Sequence, residues 1–424
     1  MRPISCGIDF GTSNSTVGIA RDAGYHLVPL EGESLNIPSA LFFDFDDGDI
    51  IFGRKALQHY SHGHHGRLMR AMKTVLGSTL INEKTRVGKK QITFIEIVGK
   101  FLSHLKKSTE EYCQQPVTSV VLGRPVFFVD GDEKADHAAQ SALEGAARAQ
   151  GFKHIEFQYE PVAAALDYER ICGHEEIAVV IDIGGGTADF AVVRVSPQSK
   201  SNASRLKDVL ASNGVHVGGN DFDRALSLTS VMPHFGYGSY TRNQFDKFET
   251  AVVPNHHFVD LASWHRINFQ YSAQNIAQAK SLLHNATEPK KLANLVQVLE
   301  QQRGHEVASQ VEAAKIDLAT IGDVAIELPV GTPRQTAITS QKVLNSAIAN
   351  SVEKLKIAFL ETLHQANIKP NQVQTVFLTG GSTLLPIVRN SLTALIPSAK
   401  IVDGDKFGSV GIGLAIDAHN KFGQ

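Results

Sequence analysis

An aspartate at the end of an apolar run, followed closely by glycine and threonine, occurs twice in this chain of 424 residues. The first copy runs from Asp9 to Thr12 and the second from Asp182 to Thr187. Backbone N–H groups in tight glycine turns point inward and can bind the oxygens of a triphosphate without side-chain clashes. The hydroxyls of Thr12, Ser13 and Thr187 add further donors. The two turns therefore predict a site that grips the β- and γ-phosphates of a nucleotide from opposite sides.

The two aspartates suggest a separate role beside the phosphates. Asp9 and Asp182 each end a strand-like run, so they can face one another across such a site. Mg²⁺ dehydrates reluctantly and keeps several of its waters, and carboxylates can orient that water shell. We predict that Asp9 and Asp182 hold the metal, and that phosphoryl transfer here depends on positioning and charge stabilisation.

The elements that must position these turns are short apolar strands. Three such runs, at 8–12, 178–187 and 373–382, are apolar enough to be buried on both faces, as in a sheet covered by helices. Each aspartate turn is followed by a second strand-like segment, so both predict hairpins. Helical stretches are predicted at 134–150, 273–284, 294–302, 307–319 and 341–367. The alternation indicates an α/β fold, and the repeated hairpin indicates two similar halves.

Several functional classes are disfavoured by the overall composition. A formal net charge of -2 offers no global attraction for nucleic acid or for an anionic membrane. Neither a Walker-type loop nor a dinucleotide-binding fingerprint is found. The three cysteines form no disulfide or zinc pattern, and no signal peptide or membrane-spanning run is visible. We expect a soluble cytoplasmic protein that binds neither nucleic acid nor membrane.

Five segments, in order along the chain, carry a resemblance to the ATPase half of the DnaK-type heat-shock chaperones. They resemble that family's first phosphate loop, first interdomain connection, second phosphate loop, Leu-Gly-Gly-Glu-Asp-Phe-Asp segment and adenosine loop, and they lie at 7–15, 160–165, 182–189, 217–223 and 380–383. The short length and the segment 263–268 are more similar to the truncated, chaperone-related proteins called YegD-like.

The resemblance implies an actin-like ATPase fold, in which two duplicated lobes enclose a nucleotide cleft that binds ATP or ADP with Mg²⁺. We expect lobe I to span residues 1–176 and lobe II residues 177–376. Residues 377–424 would then form the adenosine loop and a helix that returns to lobe I.

Site residues follow from the same resemblance. Lys73 matches the family's lysine that touches the γ-phosphate, where a point charge stabilises developing negative charge. Glu160 either orients the attacking water or makes a hinge hydrogen bond, and with Lys73, Asp182 and Thr187 it completes the expected catalytic set. The expected nucleotide-binding set is Gly11, Thr12, Ser13, Asn14, Gly184, Gly185, Gly186, Thr187, Gly218, Gly219, Glu312, Lys315, Gly380, Gly381 and Ser382.

The chain departs from the family at the residues that would stack on the base. Its adenosine helix keeps Glu312 and Lys315 but carries Ile316 in place of the stacking arginine and Ala319 in place of a serine. Leu384 replaces a second arginine. Guanidinium stacking contributes on the order of 1 kcal/mol per contact. We therefore expect nucleotide affinity roughly ten- to a hundred-fold below that of a full chaperone, and weaker selection for adenine.

Three functional hypotheses remain. The favoured one is a slowly hydrolysing, chaperone-like ATPase without a client-binding domain, since only nine residues follow the segment 408–415 that resembles the second connection. An unidentified protein partner would then sense the nucleotide, and the oligomeric state is left open. The alternatives are a small-metabolite kinase, which needs a further carboxylate base that we do not identify, and an actin-like scaffold. His62, His64 and His65 are interpreted as a solvated loop rather than a metal site.

Overall fold

The computed structural model describes residues 4–22, 24–88, 90–196, 208–242, 250–405 and 408–423. In these ranges, none of the helices is both long enough and apolar enough to cross a bilayer. The strands are β1 Ile4–Phe10, β2 Asn14–Arg21, β3 Gly24–Leu27, β4 Asn36–Pro38, β5 Ala40–Asp44, β6 Ile50–Phe52, β7 Gly66–Arg70, β8 Lys84–Val87, β9 Lys90–Thr93, β10 Val117–Arg124, β11 His154–Tyr159, β12 Glu176–Ile183, β13 Ala188–Val195, β14 Val209–Val215, β15 Tyr240–Arg242, β16 Thr250–Val252, β17 Asp323–Leu328, β18 Gln335–Ser340, β19 Thr375–Thr379 and β20 Lys400–Asp403. The α-helices are α1 Gly53–Ser61, α2 Phe94–Cys113, α3 Glu133–Ala149, α4 Glu160–Glu169, α5 Gly219–Leu226, α6 His256–Leu261, α7 Ala273–His284, α8 Pro289–Glu300, α9 Gly304–Asp317, α10 Gln341–Gln365, α11 Pro386–Thr393 and α12 Ser409–Phe422.

The chain divides into two compact units. The first comprises Met1–Gly218, Glu353–Leu384 and Val388–Gln424, and the second comprises Gly219–Val352 and Leu385–Ile387. The lobe limits at residues 176 and 376 stay predictions.

Two sheets of the first unit have the same topology. One has the order β11-β10-β1-β2-β3, with β4 beside β2, and the other has the order β20-β19-β12-β13-β14. In each sheet the first strand of a hairpin, β1 or β12, pairs antiparallel with the next strand and parallel with a later one. The α/β fold with an internal repeat, predicted from the two aspartate turns, is confirmed.

Helices α4 and α12 cross in close contact within the first unit. A Cβ atom added to Gly413 of α12 would lie 1.7 Å from the carbonyl oxygen of Ala163 in α4. On the other face of α12, a Cβ on Gly7 of β1 would lie 2.3 Å from the carbonyl carbon of Leu414. Small residues therefore let three backbones touch, and this contact fixes the position of α4, whose first residue is Glu160.

The second unit contains helices α5 to α9 and the hairpins β15–β16 and β17–β18. Helix α8 begins at Pro289, five residues before the predicted start at residue 294. Proline is well tolerated in the first turn of a helix because its missing N–H has no intrahelical partner there. The core of this unit includes the buried side chains of Phe222, Phe235, Phe258, Trp264, Leu292 and Leu299.

Candidate functional site

The turn between β1 and β2 holds the first predicted phosphate loop. A Cβ on Gly11 would lie 2.2 Å from the carbonyl oxygen of Asn14, so only glycine fits this turn. Ser39 stabilises the turn with two hydrogen bonds. Its hydroxyl donates to the carbonyl of Gly11 at 2.6 Å, and its N–H donates to the carbonyl of Ser13 at 2.8 Å. The sequence prediction missed Ser39, because it reaches the turn only through the pairing of β4 with β2.

The turn between β12 and β13 meets the first turn. It closes with a hydrogen bond from the N–H of Gly184 to the carbonyl of Thr187 at 3.0 Å. A Cβ on Gly185 would lie 2.2 Å from the hydroxyl oxygen of Ser13, and one on Gly186 would lie 2.8 Å from that of Thr12. The structure therefore brings the two predicted loops into contact, with glycine at the points of closest approach.

Two further glycine segments reach the second turn. A Cβ on Gly218 would lie 2.7 Å from the backbone of Gly185. Gly380 has a φ of +79°, which favours glycine, and a Cβ there would lie 2.7 Å from a carboxylate oxygen of Asp182. The hydroxyl of Ser382 donates to the carbonyl of Gly184 at 2.9 Å. Three segments predicted from distant parts of the sequence thus surround one turn, and Gly381 begins the 3₁₀ turn that carries Ser382.

Beside these turns lies a cluster of four carboxylates around one lysine. Its members are Asp9, Glu160, Asp182, Asp189 and Lys73. The ammonium of Lys73 bonds to the Oε1 atom of Glu160, and both side chains are buried. Lys73 lies in the 3₁₀ turn Met72–Val75, which follows the left-handed Ala71 at a φ of +54°.

The three aspartates of this cluster, Asp9, Asp182 and Asp189, resist ionisation. Burial, and next the charge of Glu160, raises the pKa of Asp9 to about 7 and that of Asp189 to about 7. The same two causes raise the pKa of Asp182 well above its usual range. Although burial opposes its charge, Glu160 and Asp9 raise the pKa of Lys73, which stays cationic. One ammonium cannot balance four ionised carboxylates, so this set of oxygen donors would suit a divalent cation such as Mg²⁺, which would favour their ionised form.

Asp189 is a site residue to which the sequence prediction gave no role. It pairs with Asp182 across the β12–β13 hairpin. Its Oδ1 atom accepts the N–H of Val126 at 2.6 Å, and the side chain of Thr187 hydrogen-bonds to it. The available signal was its position at the end of the second phosphate-loop motif, one hairpin pair away from the predicted Asp182.

The second unit holds the remaining predicted residues, Gly219, Glu312 and Lys315. The ammonium of Lys315 lies 2.7 Å from a carboxylate oxygen of Asp223 and 3.2 Å from the carbonyl of Gly219. Burial raises the pKa of Asp223, although Lys315 lowers it. Lys315 therefore makes a buried ion pair within its own unit. The roles of Glu312 and Lys315 towards adenosine stay predictions.

The pKa shifts predict a pH-dependent gain in stability for Asp189→Asn. Because Asp189 binds a proton more tightly in the folded chain than in the unfolded one, its contribution to stability falls as pH rises from its normal pKa towards about 7. The amide keeps the acceptor for Val126 but carries no charge. In EDTA, we expect the Tm of the variant to exceed that of the parent by a larger margin at about pH 8 than at about pH 5.

Comparing the variant with its parent removes opposing contributions from other groups. The pKa of His265, lowered by burial to about 4, favours folding at higher pH, but both proteins share it. The same Tm difference at both pH values would show that Asp189 is ionised in the folded chain throughout this range.

Comparisons with known proteins agree with this geometry. A family model described as Hsp70 protein matches residues 79–236 and 282–423. The chain is 24% identical over 435 residues to a chaperone protein HscA homolog of Histophilus somni, covering 98% of this chain and 58% of that protein. It is 24% identical over 417 residues to a chaperone protein DnaK of Thermosipho melanesiensis, covering 97% of this chain and 58% of that protein. The chain thus spans less than two thirds of these relatives. Since the family model covers well over half of its residues, the chain belongs to the Hsp70 family.

Proposed function

We propose that this chain binds Mg-ATP and hydrolyses it slowly, as a chaperone-like ATPase. Members of the Hsp70 family bind ATP and ADP, which supports the nucleotide part of this proposal. The observation that carries the metal part is the cluster of four carboxylates around Lys73, directly beside two glycine turns. In this cluster a divalent cation would offset the burial and the repulsion from Glu160 that raise the pKa values of Asp9, Asp182 and Asp189.

Different residues would bind the phosphates and the metal. The backbone N–H groups of the turns at 11–13 and 184–187 would bind phosphate oxygens, with the hydroxyls of Thr12, Ser13 and Thr187 beside them. Asp9 and Asp182 would hold the waters of the cation. When bound, Mg²⁺ neutralises charge on the β- and γ-phosphates.

Lys73 and Glu160 would act as a pair. The buried bond between them holds the ammonium in place. A fixed cation stabilises negative charge that develops on the transferred phosphoryl group without reorganising during the reaction. We propose Glu160 chiefly as the residue that positions Lys73, and secondarily as the group that orients the attacking water.

The test is the magnesium dependence of nucleotide binding in Asp182→Asn. The amide keeps the shape of the side chain and removes its charge, so the loss should appear only when the metal is bound. We expect ADP to bind roughly 10- to 100-fold more weakly than to the parent in magnesium, and nearly as well as to the parent in EDTA, by calorimetry.

A matched control is Asp323→Asn, an exposed aspartate in β17 of the second unit. It should leave binding unchanged under both conditions. Equal losses for Asp182→Asn in magnesium and in EDTA would mean that this carboxylate does not serve the metal.

Single-turnover ATP hydrolysis, measured with and without candidate metabolites and alongside sedimentation in nucleotide, would separate this function from the kinase and scaffold hypotheses. A rate that rises with one metabolite would favour the kinase, and nucleotide-dependent sedimentation would favour the scaffold. A protein partner, the likeness to YegD-like proteins and a cytoplasmic location stay predictions.

A further inference from the structure

A small sheet of the first unit lies outside the nucleotide site. Strands β6, β5 and β7 pair antiparallel in that order, and helix α1 packs on β5. The buried cluster that contains Ala56 of helix α1 is small and otherwise comprises Ala40, Phe42 and Leu68, while Leu41 and Met69 of the strands are buried outside it. Strand β7 leads directly into the turn that carries Lys73. A core of this size contributes little stability by itself, so additional cross-links would matter here.

Three side chains capable of binding a metal meet at one end of this subdomain. Asp44 ends β5, His59 lies in the last turn of α1, and His64 follows in the next loop. The Nδ1 atom of His59 is 3.8 Å from the Oδ2 atom of Asp44, and the two imidazole rings are 4.4 Å apart between centroids. One ligand atom from each residue lies within 4.8 Å of the others.

Local hydrogen bonds hold Asp44 and the loop in this arrangement. The Oδ1 atom of Asp44 accepts the N–H groups of Asp46 at 2.9 Å and Asp47 at 3.2 Å, while its Oδ2 atom faces His59. The N–H of His64 donates to the carbonyl of His59 at 3.1 Å. The loop reverses at Gly63, whose φ of +75° suits glycine.

The environment of His59 supports a metal site independently of the proximity of the three side chains. Its Nδ1 atom is buried and makes no hydrogen bond among the described residues. A buried polar atom without a hydrogen-bond partner costs free energy, and a bound metal ion would satisfy this one. The ring of His59 lies beside that of Phe42, with centroids 6.1 Å apart.

The donor set selects the class of metal. Two imidazoles and one carboxylate suit Zn²⁺ and similar transition-metal ions, whereas Mg²⁺ and Ca²⁺ prefer oxygen ligands. Bonds of about 2.0–2.1 Å in a tetrahedron place ligand atoms roughly 3.3 Å apart. The observed 3.8 Å between His59 and Asp44 is close to that separation, and an atom of His64 lies within 4.8 Å of both, so small side-chain movements would complete the geometry. His64 is exposed, which leaves a fourth position open to water.

We propose that Asp44, His59 and His64 bind a divalent transition metal that stabilises this subdomain, with Zn²⁺ as the best match. The ligands come from a strand, a helix and the loop after it, so the metal links all three parts of a subdomain with a small core. The other two histidines of this loop are different: His62 is outside the cluster, and His65 pairs with Asp46 at 3.0 Å. This site is independent of the proposed nucleotide function.

The test is Zn²⁺ titration of the full chain by calorimetry, with two ligand variants. Asp44→Asn keeps an oxygen for the N–H groups of Asp46 and Asp47 but removes the charge, and His64→Ala changes an exposed side chain. We expect the parent to bind one equivalent of Zn²⁺, and each variant to bind it at least about tenfold more weakly. His62→Ala, in the same loop, is the matched control and should bind as the parent does.

Hydrogen exchange supplies a readout that does not depend on affinity alone. Zn²⁺ should slow amide exchange in β5 and β7 of the parent and of His62→Ala, but not of His64→Ala. Failure of the parent to bind Zn²⁺ would overturn the proposal. So would binding that both ligand variants retain in full, since the metal would then be held elsewhere, for example by the carboxylates near Lys73.

Discussion

Lys73→Ala should slow single-turnover ATP hydrolysis by roughly 100- to 1000-fold and change ADP affinity only a few-fold. Lys73 is the cation that the four clustered carboxylates share, and its proposed partner is the γ-phosphate, which ADP lacks. Its loss should therefore affect the chemical step rather than the binding of the product. Rapid mixing with limiting ATP gives the rate, and calorimetry gives the ADP affinity.

Two controls separate chemistry from folding. Lys106→Ala removes a less buried Lys–Glu pair of the first unit, the one with Glu110 on α2, and should keep the parent rate. Thermal unfolding must also be compared, because removing Lys73 leaves Glu160 buried without this partner, which costs stability. A folded Lys73→Ala protein with the parent's rate would exclude Lys73 from the mechanism.

Gly413→Ala should be among the most destabilising single methyl additions in the chain. The new Cβ would lie 1.7 Å from the carbonyl oxygen of Ala163, and neither backbone can yield without separating α4 from α12. Overpacking of this kind costs about 1–3 kcal/mol, or more where backbone must move. Because α4 begins with Glu160, the variant should also lose nucleotide binding. Urea unfolding followed by circular dichroism measures the loss of stability.

The same substitution at Gly145 provides the matched control. Gly145 lies exposed within α3, and a Cβ there meets no atom within 4 Å. Alanine favours the helix over glycine by about 0.5–1 kcal/mol, so Gly145→Ala should stabilise the protein slightly. If both variants unfold at the same urea concentration, close helix contact at Gly413 is not what stabilises this crossing.

Regular elements with strong local signals were predictable from the sequence. Helix α7 has the predicted bounds, and α3 and α10 agree within two residues at each end. Helix α2 was not predicted as an element, although a capping box between Thr93 and Glu96 marks its start. A threonine followed three residues later by a glutamate is a local sequence pattern that predicts the start of a helix.

Some residues of the candidate site were predictable from local sequence patterns, and others were not because they meet only through long-range contacts. The two glycine turns, with Asp9 and Asp182, were visible because a hairpin turn needs particular residues at adjacent positions. Asp189 and Ser39 were assigned no role, because their importance arises from strand register and from contacts between strands. Nor does any local pattern pair Lys73 with Glu160, since 87 residues separate them.

The sequence by itself determined the turns, the apolar strands and the internal repeat, because each depends on residue types at short spacing. The tertiary structure alone decided which charges share one buried volume. It raised the pKa values of Asp9, Asp182 and Asp189 by bringing them to Glu160 away from water. It also joined His59 and His64 to Asp44, the last residue of a preceding strand. Charge interactions and metal geometry depend on distances in space, which the order of residues along a chain does not specify.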